Sequence, residues 1–178
     1  RRHTRYGTVT GVQTCALPIS VGPSELPEIV LAALGPKMLE LAASQTAGAH
    51  PYFVPPEHTQ IAREVMGSEA LLYPEQMVVL EEDPGTARAI ARQHMKTYSA
   101  LPNYANNLMR LGYDADDIEN MADVVVDAVV AWGSIEAIKK RVQDHFDAGA
   151  DHVCVQVLTE EPQTVPEGWR QLAPALVG

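Results

Sequence analysis

The chain has 178 residues, 46% of them apolar, with 13 basic against 23 acidic side chains and a formal net charge of −10. A surplus of carboxylates excludes a phosphate-backbone partner, which needs clustered Lys and Arg, and the apolar stretches fall short of the roughly 20 residues of a membrane span. Two cysteines, Cys15 and Cys154, are too few for a disulfide framework or a Cys-based metal site, so the expectation is a cytoplasmic protein without nucleic-acid or membrane partners.

In chain order, residues 1–19 stand apart. The run Val9-Thr10-Gly11-Val12-Gln13-Thr14-Cys15-Ala16-Leu17-Pro18-Ile19 reads as a translated sequencing adapter, a technical segment to be set aside before fold reasoning. Without Arg1, Arg2 and Arg5 the balance becomes 10 basic against 23 acidic. Residues 20–178 form the second expected unit, about the size of one compact domain.

From there short apolar runs alternate with helical patterns, the rhythm of a parallel sheet with crossover helices. Glu28 to Leu34 reads as a buried strand, broken by Gly35-Pro36 before a helix carrying Met38, Leu39, Leu41 and Ala42. Ala49 to Val54 is a weaker strand, followed by Pro55-Pro56 and a helix to about Met66, with Gly67 as its stop. Gln76 to Glu81 is a third strand; Asp83-Pro84 then caps a helix whose apolar stripe is Ala87, Ile90, Ala91, His94 and Met95.

Between Ser99 and Val130 the pattern stays helical, interrupted at Leu101-Pro102-Asn103 and at Asp114-Ala115-Asp116-Asp117. The excursion exceeds what a minimal strand-to-helix unit needs and is expected to build a wall or lid. Gly133-Ser134 opens a helix with Ile135, Ile138, Val142 and Phe146 on one face. His152 to Leu158 is a strand with Val153, Val155 and Val157 on one side and Cys154, Gln156 and Leu158 on the other. A helix around Trp169 to Val177 closes the chain.

The stretches Ala32–Ala43, containing Gly35-Pro36-Lys37-Met38, Gly48–Tyr52, Leu101–Leu108 and Gly149–Leu158 together resemble the luciferase-like monooxygenase superfamily. More narrowly they resemble its actinobacterial branch that uses the deazaflavin coenzyme F-420. The likeness spans nearly all of residues 20–178; a departure is Ala47, where the family usually shows Asp. The resemblance implies an α/β fold, the C-terminal half of a (β/α)8 TIM barrel, strands five to eight. It implies an oxidoreductase moving a hydride to or from an organic small molecule, with an FMN-dependent monooxygenase as the alternative. A further alternative is an inactive truncated fragment, and the intact protein is a candidate homo-oligomer.

The resemblance places the cofactor at Ala33, Leu34, Gly35, Pro36, His50 and Pro51. Gly35-Pro36 joins the end of a strand to a helix N-terminus, where free N–H groups favour an anion, although Gly-Pro is also simply a good turn. His50 reads either as a hydrogen-bond donor to a ligand or as a histidine satisfied by backbone. Glu75 precedes the third strand; Glu81, Glu82 and Asp83 follow it and read as rim acids or as helix caps. Asn103, Tyr104, Asn106, Asn107 and Arg110 read as a pocket lining or an exposed helix face. His58, His94, His145 and His152 have no partner at metal spacing, so no metal is assigned. Cys154 reads as a small hydrophobe, and no catalytic residue is assigned.

Overall fold

The computed structural model describes residues 28–177; the adapter-like segment and residues 20–27 lie outside them. Among the described residues six short strands are all parallel: β1 (Val30–Leu31), β2 (Gly48–Ala49), β3 (Leu71–Leu72), β4 (Glu75–Val79), β5 (Val130–Trp132) and β6 (Cys154–Val157). The order is β1-β2-β3 in one sheet and β5-β4-β6 in the other. Backbone bonds join the two: Tyr73 N donates to Ala49 O and Glu75 N to Pro51 O, both at 2.9 Å. Residues 71–79 thus form one bent run whose odd-numbered groups face β2 and then β5. Its even-numbered groups face β6, where Pro74 O accepts from Cys154 N at 2.9 Å.

Eight helices of the described residues flank this run: α1 (Pro36–Gln45), α2 (Pro56–Met66), α3 (Pro84–Ser99), α4 (Pro102–Arg110), α5 (Ala115–Glu119), α6 (Asp123–Val129), α7 (Ile135–Asp147) and α8 (Val165–Leu176). Proline occupies the opening of α1, α2, α3 and α4, where its fixed φ is preformed and its missing N–H costs no helix bond. Leu39 and Ala42 of α1 pack with Ala62 and Met66 of α2 against Ala49 and Leu72. Ile138 of α7 and Leu172 of α8 pack on Val78, Ala131 and Val157. On the opposite side of the run, Met77 and Val79 meet Ala87, Ala91, Met95 and Leu108 of the helical excursion.

Several expectations shift. The strand expected over 28–34 is ordered only at Val30–Leu31, because pairing lasts only as far as the two-residue β2 beside it. The strand expected over 49–54 is Gly48–Ala49: the chain turns away at Phe53, with φ 61. The third strand starts one residue early, at Glu75, and ends at Val79. Val130–Trp132 is an unexpected strand, cut from the end of a helical apolar pattern. On α7 the buried face holds His145, fully enclosed, while Phe146 is 40% exposed. The last helix begins at Val165, ahead of Trp169, after a 3-10 turn at Pro162–Thr164.

Candidate functional site

At the start of α1, Gly35 serves as N-cap with an ordinary extended backbone, φ −83 and ψ 156. Its carbonyl accepts the Met38 and Leu39 amides at 3.0 Å. The first-turn amides of a helix have no intrahelical acceptor, and with Pro36 lacking an N–H, those of Gly35 and Lys37 are the ones that no backbone bond among the described residues takes. His58 braces the turn from below: it is buried, and its Nε2 donates to Leu34 O at 2.9 Å. Burial holds its imidazole below the usual range.

Arg110, at the end of α4, brings a cation to the same turn. Its Nη2 donates to Asn107 Oδ1 at 3.0 Å and lies 3.7 Å from where a Cβ on Gly35 would sit. The two elements enclose a pocket of about 350 Å3 whose lining includes Ala33, Leu34, Gly35, His50, Tyr52 and Arg110. Four of the six positions implied by the resemblance therefore meet around one space. Pro36 and Pro51 act beside it, Pro36 opening α1 and Pro51 buried under the turn after β2.

His50 Nδ1 lies 2.6 Å from Tyr73 O. A carbonyl only accepts, so Nδ1 carries the proton and is satisfied by backbone, as one of the two readings has it, which leaves Nε2 to face the pocket. Tyr52 forms the adjoining wall; its hydroxyl donates to Gln156 Oε1 at 2.8 Å and receives His94 Nε2 at 3.0 Å. Burial, then the neighbouring Tyr98 hydroxyl and Glu75, raise the Tyr52 phenol. From α4, Asn103, Tyr104 and Asn106 also line the pocket, whereas Asn107 is buried behind Arg110.

Two larger signals lay beyond the assigned residues. Glu75, expected ahead of a strand, is a buried strand residue whose carboxyl is pushed up to about 8 by burial, with the Phe53 amide pulling weakly the other way. Arg110 appeared only within a polar cluster; nothing local in sequence tells that the end of α4 returns to the start of α1. Asp83, by contrast, caps α3 through Thr86 N at 2.9 Å. Cys154 is half-buried, its thiol raised by burial and by Glu75.

Elsewhere on the strand ends, a pocket of about 360 Å3 between β4 and β6 is ringed by Glu81, Glu160, Glu161 and Glu167, a field that repels anions. The pocket at Gly35 is the one of the two that faces a cation. Among the described residues no group of three or more His, Cys, Asp or Glu is placed to hold a metal, and no helix is long and apolar enough to cross a membrane.

No protein-family model and no curated protein matches the chain. Solved structures do. An F-420-dependent secondary alcohol dehydrogenase in complex with an F-420–acetone adduct is similar over 86% of this chain and 50% of its own, at 13% identity and TM-score 0.60. The coenzyme F-420-dependent tetrahydromethanopterin reductase of Methanopyrus kandleri is similar over 89% of this chain and 56% of its own, at 14% identity and TM-score 0.62. The EDTA monooxygenase of Chelativorans sp. BNC1 is similar over 89% and 46%, at 13% identity and TM-score 0.53. The chain spans about half the length of these structures, and over that span it shares their fold.

Proposed function

We propose that this chain is the C-terminal half of an F-420-dependent oxidoreductase barrel, acting on a small organic molecule at the mouth formed by the ends of the strands. The observation that supports it best is the convergence of the α1 N-terminus and Arg110 on one pocket that Ala33, Leu34, Gly35 and His50 also line. The fold likeness, and its extent over about half of each similar structure, agree with this reading.

The residues present fit a cofactor with a phosphate-bearing tail and a polar ring. Gly35 and Lys37 amides, with the helix dipole, and the Arg110 guanidinium would hold the phosphate. His50 Nε2 would accept a hydrogen bond from a ring or substrate donor, and Tyr52 and Tyr104 would wall the space and exclude water. When bound, a deazaflavin supplies hydride exchange; the protein supplies orientation and charge.

The test uses the protein extended to a closed barrel, titrated with F-420 and with FMN by fluorescence. Gly35 has an ordinary φ and room for a Cβ, so Gly35→Val should fold while pressing on Arg110 and the phosphate. Gly35→Val and Arg110→Gln are each expected to weaken F-420 binding at least tenfold, about 1.4 kcal/mol. Silence in both variants would sink the phosphate assignment. The likeness to the EDTA monooxygenase favours, as second reading, an FMN-dependent oxygenase; tighter FMN binding with oxygen-dependent turnover would select it. Absence of binding by either cofactor to the closed barrel would overturn the cofactor reading altogether.

A further inference from the structure

Glu75 opens β4 with a side chain only 4% exposed. Its Oε2 accepts the Phe53 amide at 3.4 Å, and its buried Oε1 has no partner among the described residues. Phe53 has φ 61, a left-handed conformation that a bulky residue keeps only where its surroundings hold it. Its ring is 1% exposed, stacked on Tyr98 at 5.7 Å and edge-on to Tyr104 at 5.6 Å. The neighbouring corner residue, Tyr52, lines the mouth pocket. A single carboxyl therefore sits beneath a strained corner whose outward side is a wall of that pocket.

An ionised carboxylate in this place would need a cation or several N–H donors. The titratable groups that sense its charge are Tyr52 from the corner, Tyr104 from α4 and Cys154, its register partner on β6. All three are acids, neutral around pH 7. No ion pair among the described residues includes Glu75, and one long amide bond is its only donor. The neutral acid fits this shell, in keeping with a carboxyl pushed up to about 8.

We propose that Glu75 is a positioning residue of the mouth pocket: as a neutral acid it holds the Tyr52–Phe53 corner in its left-handed turn, and on ionisation it releases it. Its consequence for ligand binding rests on the cofactor reading above; the latch itself does not. The test is hydrogen exchange of the Tyr52, Phe53 and Val54 amides in wild type, Glu75→Gln and Glu75→Ala, at pH 6.5 and pH 9, with Glu75→Gln at the same pH as reference for intrinsic exchange. Exchange of wild type relative to Glu75→Gln should rise at least tenfold from pH 6.5 to pH 9, and Glu75→Ala should be fast at both. Equal protection of wild type and Glu75→Gln at pH 9 would overturn the proposal. So would an acceleration shared equally by Ala91 and Met95 in the core of α3, which would mark global unfolding. Exchange needs no ligand, so failure to bind FMN or F-420 would count against the cofactor reading alone.

Discussion

Two buried titratable residues act on stability in opposite directions. His145 is fully enclosed: its Nε2–H donates to Gln76 Oε1 at 3.0 Å, and its Nδ1 accepts from Thr59 Oγ1 at 2.8 Å. Burial, then Arg141, lower its imidazole from 6.5 to about 4. The folded state therefore binds the proton less well than the unfolded chain, so this contribution is complete above pH 6.5 and is lost as pH falls towards 4, amounting to up to about 3 kcal/mol. Glu75 is shifted upward from 4.5 to about 8; its contribution is complete below pH 4.5 and is lost as pH rises through 8. Urea midpoints should therefore decline on both flanks, and Glu75→Gln should flatten the alkaline flank alone. His145→Ala strands Thr59 and Gln76 and removes a packed ring, which should cost about 2–4 kcal/mol at pH 7; a loss under about 1 kcal/mol would show that water replaces the ring.

At the scale of elements, the strands are short and their joints carry much of the specificity. Gly48 in β2 has no room for a side chain: a Cβ would lie 1.9 Å from Leu71 O on β3. Gly48→Ala should therefore force β2 and β3 apart and cost more than about 3 kcal/mol, read as a lowered denaturation midpoint. The α6–β5 junction relies on charge instead. Arg88 grips Asp127 through Nε and Nη2 at 2.9 and 2.6 Å, Trp132 Nε1 donates to Asp127 at 2.7 Å, and Arg141 caps the Asp127 and Ala128 carbonyls at 2.8 Å each. With both pair members part-exposed, Asp127→Ala should cost about 1–2 kcal/mol. These joints explain what the sequence made legible. Periodicity and proline placement marked α1, α2, α3 and α7, because those helices depend on local signals that neighbours reinforce. Val130–Trp132 was not legible: its apolar run continues the pattern of α6, and only pairing with Met77–Val79 decides that it is a strand. The pocket was half legible, since Gly35 and His50 stand at turns that the sequence marks, while Arg110 reaches it, and Glu75 comes to lie beneath its wall, through tertiary packing alone.

For the whole molecule, the parallel arrangement ends at β1 and β5 on one side and at β6 on the other, each paired along one edge among the described residues. In β6, Cys154, Val155 and Gln156 are only half-buried, and beside β1 Ile29 is 61% exposed. Unpaired edges with apolar neighbours recruit other strands. Within the proposed barrel the partners would be strands one to four; for this chain alone they are copies of itself. Light scattering at micromolar concentration should therefore show oligomers. Ile29→Lys, placing a charge beside the β1 edge where the present side chain faces water, should reduce that association with a change in unfolding midpoint worth less than about 0.5 kcal/mol. A monodisperse monomer with a single cooperative transition would show that the edges are already satisfied and that the chain is a complete domain. Association unaffected by Ile29→Lys would move the contact to the β5 or β6 edge.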